Sequence, residues 1–340
     1  MKPIHQRALA SCIFALSFFS GAAQGQEAAP SISLPFTLKS LGHNVYAAID
    51  DAEGHAGANA GFVIGDDGVL VIDTFENEAA ATLLLAEIRK LTSLPVKYVV
   101  NTHYHLDHVA GNAVFQKAGA VVMAQRNVAG WIHTENLKFF GKNIKPEQKS
   151  MVEALAAPNI LYDNGLAVLL GRREVLVQVF PGHTGGDSVV MIPDAKVVFC
   201  GDLFWHATLP NLIDASTDKW MKTLEDMRTA SSSSAIVYVP GHGDPGDFHD
   251  VEAFRSYLAD LRGWVQKQID DGKSGDSLTE AVLPSSKEKY GRWNFFDYFS
   301  KSNIKDVEAE LRKTKKVPQP VATVSEEKQA SPEFIADRRR

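Results

Sequence analysis

The sequence has few cysteines, no excess of basic residues and no long apolar run after its N-terminus. Its 340 residues include only two cysteines, too few for a disulfide scaffold or a set of zinc fingers. With 35 lysines and arginines against 41 aspartates and glutamates, the formal net charge is −6, which argues against nucleic-acid binding. No segment after the N-terminus reaches the roughly 18 apolar residues of a membrane-spanning helix. The hydrophobic fraction of 45% is typical of a globular protein with a buried core.

The N-terminus has the order of segments found in secretory signal peptides. Lys2 and Arg7 precede an apolar run from Ala8 to Phe19, and small residues follow it. We therefore predict that residues 1–25 are removed on export, and that the mature protein is periplasmic or secreted and has no membrane association. Removal would leave Cys200 as the sole cysteine, so the mature chain could form no intramolecular disulfide.

The pattern of apolar residues predicts an α/β fold. Runs of about four apolar residues bounded by turn residues predict strands, beginning with a hairpin at 61–64 and 69–72, and helical periodicity predicts a helix over 78–91. We expect a domain over 36–270, a helical C-terminal extension over 271–316 and a disordered polar tail over 317–340. Further strands are predicted at 97–100, 120–123, 167–170, 174–180, 188–192, 196–200 and 236–239, and further helices at 218–229, 251–270 and 290–311.

Two groups of aromatic residues lie outside the predicted strands. The first, which includes Phe139 and Phe140, belongs to a mostly helical connection over 127–157. The second runs from Trp293 to Phe299 in the C-terminal extension. We expect both groups to pack against the core. The alternatives are a substrate wall for the first group and a partner interface for the second.

Candidate metal ligands follow four of the predicted strands. The segment Thr102–His108 follows the strand at 97–100 and contains three histidines and an aspartate. Since alternate residues of an extended segment point the same way, two of these ligands could face one ion and two a second ion. Three more candidates lie at strand ends beside glycine. The complete set is His103, His105, Asp107, His108, His183, Asp202 and His242.

Converging strand ends would bring these ligands together at one edge of a sheet. Histidine and carboxylate ligands suit zinc and also accept iron or manganese. The pattern His-x-His-x-Asp-His, followed in order by the three later motifs, resembles the metallo-β-lactamase superfamily over residues 36–270. The resemblance implies an αββα sandwich, an α/β fold with its metals at one edge. It also implies a first zinc ion on His103, His105 and His183, a second on Asp107, His108 and His242, and a bridge between them through Asp202.

The resemblance implies hydrolysis by a metal-bound hydroxide, which Asp107 would orient before passing a proton to the leaving group. Asn211 matches an asparagine that helps to stabilise the oxyanion in the cysteine-ligand subclass of true β-lactamases. That subclass has a cysteine at the position of Asp202. It also usually has a lysine at the position of Trp205, which pairs with the drug carboxylate. These two departures favour an exported hydrolase of a small ester, thioester or lactone.

Two alternative functions remain open from the sequence. One is a β-lactamase, which the match at Asn211 and the predicted export would suit. The other is a mononuclear-iron enzyme similar to the persulfide dioxygenases of the same superfamily. Two zinc ions per chain would support hydrolysis, whereas one iron ion with oxygen consumption would support the dioxygenase. The expected partner is a small-molecule substrate, not nucleic acid, and the sequence leaves the oligomeric state open.

Overall fold

Two β-sheets lie face to face within residues 33–230 and 235–322, the part of the chain that the computed structural model describes. The predicted signal peptide lies outside these residues. The strands of the first sheet pair in chain order, the first four antiparallel and the rest parallel. They are β1 (Phe36–Ser40), β2 (Val45–Asp50), β3 (Ala60–Ile64), β4 (Val69–Ile72), β5 (Val96–Asn101), β6 (Val121–Gln125) and β7 (Ile160–Tyr162).

The second sheet also pairs its strands in chain order, and only its last pair is parallel. Its last two strands end at the site described below. The strand predicted over 196–200 extends five residues further in the structure. All nine positions of the observed strand are buried. The five strands are β8 (Gly165–Leu170), β9 (Arg173–Val179), β10 (Ser188–Ile192), β11 (Val197–Trp205) and β12 (Val237–His242).

Helices cover the outer face of each sheet. The longest is α7, and no helix in the described part of the chain has the length and apolarity needed to cross a bilayer. Glu135–Phe140 forms a 3₁₀ helix. The α-helices are α1 (Glu78–Leu91), α2 (Leu106–Val109), α3 (Asn112–Lys117), α4 (Arg126–Trp131), α5 (Pro146–Glu153), α6 (Thr217–Ala230), α7 (Phe248–Asp270), α8 (Gly275–Tyr290) and α9 (Phe296–Leu311).

Local sequence explains the bounds of α1, which are those predicted. The Asn77 side chain accepts a hydrogen bond from the backbone N–H of Ala80 at 2.8 Å and so caps the N-terminus. Glu78 lies in the first turn, and Arg89 and Lys90 lie in the last, where each charge complements the helix dipole. The apolar face of α1 then packs on the first sheet.

Three apolar layers confirm the predicted αββα sandwich. The central layer lies between the sheets and joins Val63 and Val100 of the first sheet to Val177 and Ile192 of the second. The first outer layer packs α1 and α3 against the first sheet. The second outer layer packs α6, α7, α8 and α9 against the second sheet. Strands β3 and β4, which lie between two such layers, are buried at every position and therefore appear in the sequence as continuous apolar runs.

The C-terminal extension is helical, but its helices differ from the prediction. The predicted helix over 290–311 is α9, which begins six residues later. Helix α8 lies within the extension predicted to be helical but was not predicted as a separate helix. Pro284 lies inside α8, and a proline argues against a helix when the sequence alone is considered. The helix is nevertheless stabilised by burial of Leu278 and Val282 against the rest of the extension and α7.

The chain after α9 returns to α4. The Gln319 carbonyl accepts a hydrogen bond from Trp131 Nε1 at 3.0 Å, and the Val321 N–H donates to Asn127 Oδ1 at 2.7 Å. Residues 317–322, the start of the predicted disordered tail, therefore contact α4. Two side chains of a distant helix hold this segment, and apolar periodicity carries no signal for such contacts. Residues 323–340 lie outside the described part of the chain, where disorder stays a prediction.

Candidate metal centre

The seven predicted ligands converge at one edge of the sandwich and form two groups. Four of them lie in the loop after β5 and in α2, one follows β9, one lies in β11, and one ends β12. Within each group the ligand atoms lie within 4.8 Å of one another. The first group is His103, His105, His183 and Asp202, and the second is Asp107, His108 and His242. The resemblance found in the sequence implies the same division of the six other ligands, with Asp202 as a bridge.

Asp202 lies between the two groups. Its Oδ2 atom is 3.2 Å from His183 Nε2 and 3.6 Å from His103 Nε2, both in the first group. Its Oδ1 atom is 3.1 Å from His108 Nε2 and 3.5 Å from His242 Nε2, both in the second group. The two oxygens of one carboxylate therefore face the two groups separately, as a bridging ligand requires.

Several of these atoms are buried without a hydrogen bond. They include the Nε2 atoms of His103, His108 and His242 and the Oδ1 atom of Asp202. Buried polar atoms are nearly always paired, so a cluster of unpaired ones needs an explanation. Imidazole nitrogens and carboxylate oxygens that face a common point are the ligands that divalent transition metals prefer. The residues therefore fit two divalent cations, one in each group.

Electrostatics within the site are consistent with bound cations. Burial raises the pKa of Asp202, but the neighbouring histidines, His108 first, outweigh it and hold this pKa well below its usual range. Burial lowers the pKa of His108, but the nearby carboxylates raise it well above its usual range, and they raise that of His242 to about 9. The negative charge of these carboxylates thus favours protonated His108 and His242. Cations that bind to the second group would displace those protons.

Asp73 orients His108, and sequence reasoning missed it. Its Oδ2 atom accepts hydrogen bonds from His108 Nδ1 at 2.8 Å and from Thr102 Oγ1 at 2.7 Å. Its Oδ1 atom accepts the Thr102 N–H at 2.7 Å. A carboxylate on Nδ1 leaves Nε2 of the imidazole as the free ligand atom. The available signal was the position of Asp73 directly after β4, the same strand-end position as the predicted ligands.

Asp214 orients His105 in a similar way. Its Oδ2 atom lies 3.3 Å from His105 Nε2 and accepts a hydrogen bond from the Tyr104 hydroxyl, while Oδ1 pairs with Lys138 Nζ at 2.6 Å. Burial raises the pKa of Asp214, but His105 and Lys138 together hold it well below its usual range. His105 therefore presents Nδ1 to the first group, 3.0 Å from His183 Nε2. Asp214 lies in a loop, and no sequence pattern connects it with His105.

A close backbone approach explains the glycine before His242. A Cβ atom at Gly241 would overlap Oδ1 of Asp202 and would come within 2.9 Å of the carbonyl carbon of Gly201. Only glycine lets β12 pass this close to the bridging carboxylate. The Pro-Gly-His sequence thus places His242 beside Asp202.

A cavity of about 440 Å³ opens above the two groups. The Trp205 ring stacks on His242 at 3.9 Å between centroids, and its Nε1 atom donates to the Asp202 carbonyl at 3.0 Å. Asn211 lines the same cavity, and its Oδ1 atom accepts the Ile213 N–H at 3.0 Å. No lysine or arginine of the described chain is among the lining residues. The lining also includes five aromatic residues: Phe139, Phe140, Phe295, Tyr298 and Phe299.

These aromatic residues depart from the expectation of packing against the core. Phe296 and Trp293 do pack there, but Phe139, Phe295 and Tyr298 are exposed at the cavity.

Cys200 is buried and belongs to neither ligand group, and burial raises the pKa of its thiol.

Comparisons with known proteins agree with this geometry. The family model of the metallo-beta-lactamase superfamily matches residues 54–242. A linear primary-alkylsulfatase from Pseudomonas sp. (strain ATCC 19151) is 25% identical over 274 residues, which cover 66% of this chain and 51% of the relative. The match therefore spans about half of the sulfatase. Metallo-beta-lactamase type 2 from Bacteroides fragilis is 24% identical over 229 residues, which cover 65% of this chain and 84% of the relative.

A solved structure shares the fold. The metallo-beta-lactamase from Pontibacter korlensis superimposes with a TM-score of 0.54 and 22% identity, covering 66% of this chain and 99% of that protein. The family match extends over more than half of the present chain and contains all seven ligands. This chain therefore belongs to the metallo-beta-lactamase superfamily, which includes metal-dependent hydrolases.

Proposed function

We propose that this protein is a dinuclear zinc hydrolase that cleaves a small ester, thioester or lactone. One observation carries the proposal: two groups of histidine and aspartate ligands share the Asp202 carboxylate at the base of a cavity. His103, His105 and His183 would hold the first zinc ion. Asp107, His108 and His242 would hold the second.

The chemistry follows from the ligand set. Two divalent cations, when bound, lower the pKa of water towards neutrality and polarise the bond to be cleaved. Asp107 is the one ligand carboxylate that is partly exposed to the cavity, and its Oδ2 atom lies 3.2 Å from His242 Nε2. We assign it the transfer of a proton to the leaving group. Asn211, whose side-chain amide lines the cavity, would donate a hydrogen bond to the developing oxyanion.

The charge of the cavity favours an uncharged substrate. A β-lactam carboxylate or a sulfate ester is best held by a cationic side chain, and none is among the described residues that line the cavity. Instead the lining includes Glu76, whose pKa is raised by burial and by Asp107, and the aromatic ring of Trp205. Neutral esters, thioesters and lactones need no cationic partner beyond the metal centre.

Two relatives support a second candidate, hydrolysis of an anionic substrate. One is named as an alkylsulfatase and the other as a β-lactamase, and each matches about two thirds of this chain. The position of Asn211 at the cavity also suits the β-lactam alternative. A third alternative, the mononuclear-iron dioxygenase, would use the first ligand group alone.

Export and a small-molecule partner are further parts of the proposal. The order of charged, apolar and small residues over 1–25 supports export to the periplasm or the medium. A cavity of about 440 Å³ and the formal charge of −6 support a small substrate over a nucleic acid.

The test is a metal assay combined with a hydrolysis panel on the purified full chain. We expect two zinc ions per chain and cleavage of p-nitrophenyl acetate, a thioester or a lactone. Activity confined to nitrocefin or to a primary alkyl sulfate would replace the proposal with the second candidate. One iron ion per chain with oxygen consumption would establish the dioxygenase instead.

Substitution of the ligands provides an independent check. H105A and D202A should abolish turnover, and D202A should reduce the binding of both zinc ions because its two oxygens face both groups. H249A is the matched control, since His249 is exposed at the start of α7 and belongs to neither group. Activity and metal content near wild type in D202A would contradict the assignment.

A further inference from the structure

Exposed aromatic rings are concentrated at one place on the molecule. Phe139 is 37% exposed, Phe295 is 47% exposed and Tyr298 is 77% exposed. Within residues 33–230 and 235–322, these are the only phenylalanine, tyrosine or tryptophan residues that are exposed, and all three line the cavity above the ligand groups. Exposed apolar surface that is gathered in one concave site indicates binding of an apolar group.

Phe295 is held at the cavity in an unfavourable conformation. Its backbone has φ +59° and ψ 13°, the left-handed region that bulky side chains rarely adopt. Its ring lies 6.3 Å from the His242 ring and 6.4 Å from the Trp205 ring, between centroids. Strained backbone tends to persist where it serves a site, and this residue combines strain with an exposed ring.

Backbone hydrogen bonds fix the strained residue in place. The Asn294 carbonyl accepts the Leu209 N–H at 2.9 Å, and the Asn294 N–H donates to the Ala207 carbonyl at 3.0 Å. These bonds attach the C-terminal extension to the segment that follows β11, the strand that carries Asp202. The position of Phe295 relative to the second ligand group is therefore determined by the fold.

Phe139 borders the first ligand group. Its ring meets the His105 ring edge-on at 4.9 Å between centroids, and Lys138 Nζ lies 5.7 Å from the Phe139 centroid. Lys138 is itself paired with Asp214 at 2.6 Å, and Asp214 contacts His105. Aromatic rings thus border both ligand groups, one from the 3₁₀ helix and one from the C-terminal extension.

We propose that these rings bind an apolar acyl or alkyl chain of the substrate, and that the C-terminal extension thereby determines chain-length specificity. The inference rests on the proposed ester hydrolysis and adds the substrate class. The cavity is continuous with the ligand groups, so a chain attached to the scissile bond would lie against Phe139, Phe295 and Tyr298. A chain buried there would remove apolar surface of both partners from water.

The experiment is a chain-length series of p-nitrophenyl esters from acetate through butyrate and hexanoate to octanoate. Full burial of one methylene group corresponds to about a fourfold gain in kcat/KM. Because the cavity is open, we expect a smaller total gain, of at least about tenfold from acetate to octanoate. F139A, F295A and Y298A should each lower the octanoate-to-acetate ratio, mainly through a higher KM for octanoate.

The control is L169A, because Leu169 is 61% exposed on β8 and does not line the cavity. It should keep the wild-type ratio. F295A changes a strained position, so its fold is checked by circular dichroism and zinc content. Tyr298 is mostly exposed, and Y298A therefore tests the proposal even if F295A does not fold.

A binding measurement separates failure of this inference from failure of the proposed function. Calorimetry with 1-octanol, and with ethanol as the short-chain control, reports chain binding without turnover. Suppose that no ester is hydrolysed, that 1-octanol binds to the wild type, and that F295A weakens this binding. The proposed function then fails, and the apolar site is supported. A wild-type ratio near one, or a ratio unchanged in both F295A and Y298A, overturns the inference.

Discussion

Replacement of Asp73 by asparagine tests whether a residue outside the ligand set tunes the metal centre. Asp73 accepts three hydrogen bonds, one from His108 Nδ1 and two from Thr102. In D73N one carboxylate oxygen becomes an NH₂ group that can only donate. If that group faces His108, the imidazole must turn or shift its proton to Nε2, the atom that faces Asp202 at 3.1 Å. A proton on Nε2 blocks coordination there.

The size of the effect follows from the loss of this oriented contact. Partners that fix a ligand imidazole typically change metal affinity by about 10- to 100-fold. That range corresponds to about 1.4 to 2.7 kcal/mol in binding free energy. The loss should fall mainly on the second group, because Asp73 contacts His108 directly. It reaches the first group only through Thr102, whose Oγ1 atom lies 3.2 Å from His103 Nδ1.

Competition with a zinc chelator, with metal quantified at each chelator concentration, measures the two affinities. We expect D73N to release one zinc ion at a lower chelator concentration than wild type and to retain the other. D276N is the matched control, since the Asp276 side chain is 85% exposed and, among the described residues, forms an ion pair only with Lys305. Wild-type release of both ions from D73N would refute the reasoning.

Two further substitutions test the packing and the charge of the site. G241A should destabilise the protein by about 1–3 kcal/mol in urea unfolding and lower its zinc content, because a Cβ there overlaps Asp202. Its control is G263A, at an uncrowded position in α7 where alanine should be neutral or stabilising, and equal stabilities would contradict the argument. D214N tests pH dependence: the folded-state pKa of Asp214 lies below its unfolded value of 3.8, so its contribution is present above about pH 4 and lost as pH falls towards the folded pKa. Wild type should therefore exceed D214N in stability by more at pH 7 than at pH 3, and a gap that is constant with pH would contradict this sign.

Local signals explain why so much of the site was predictable. Three histidines and Asp107 lie within six residues after β5, and no long-range contact is needed to place them near one another. His183 and His242 follow strands that are recognisable as apolar runs between turns. The bounds of α1 follow from one cap and one apolar face. In each case the physical cause lies within a few residues of the structure that it determines.

By itself, the sequence determined the positions of most strands and of α1, because periodicity and turns are local properties. The spacing of its motifs identified the candidate ligands and carried the resemblance that implies the sandwich. Only the tertiary structure decided which residues support and surround the ligands. Asp214 meets His105 across 109 positions, and Asp73 meets His108 across 35. The C-terminal extension places Phe295 beside His242, and residues 317–322 return to α4. Such pairings depend on how distant segments pack, a cooperative property of the folded chain that leaves no periodic trace in its sequence.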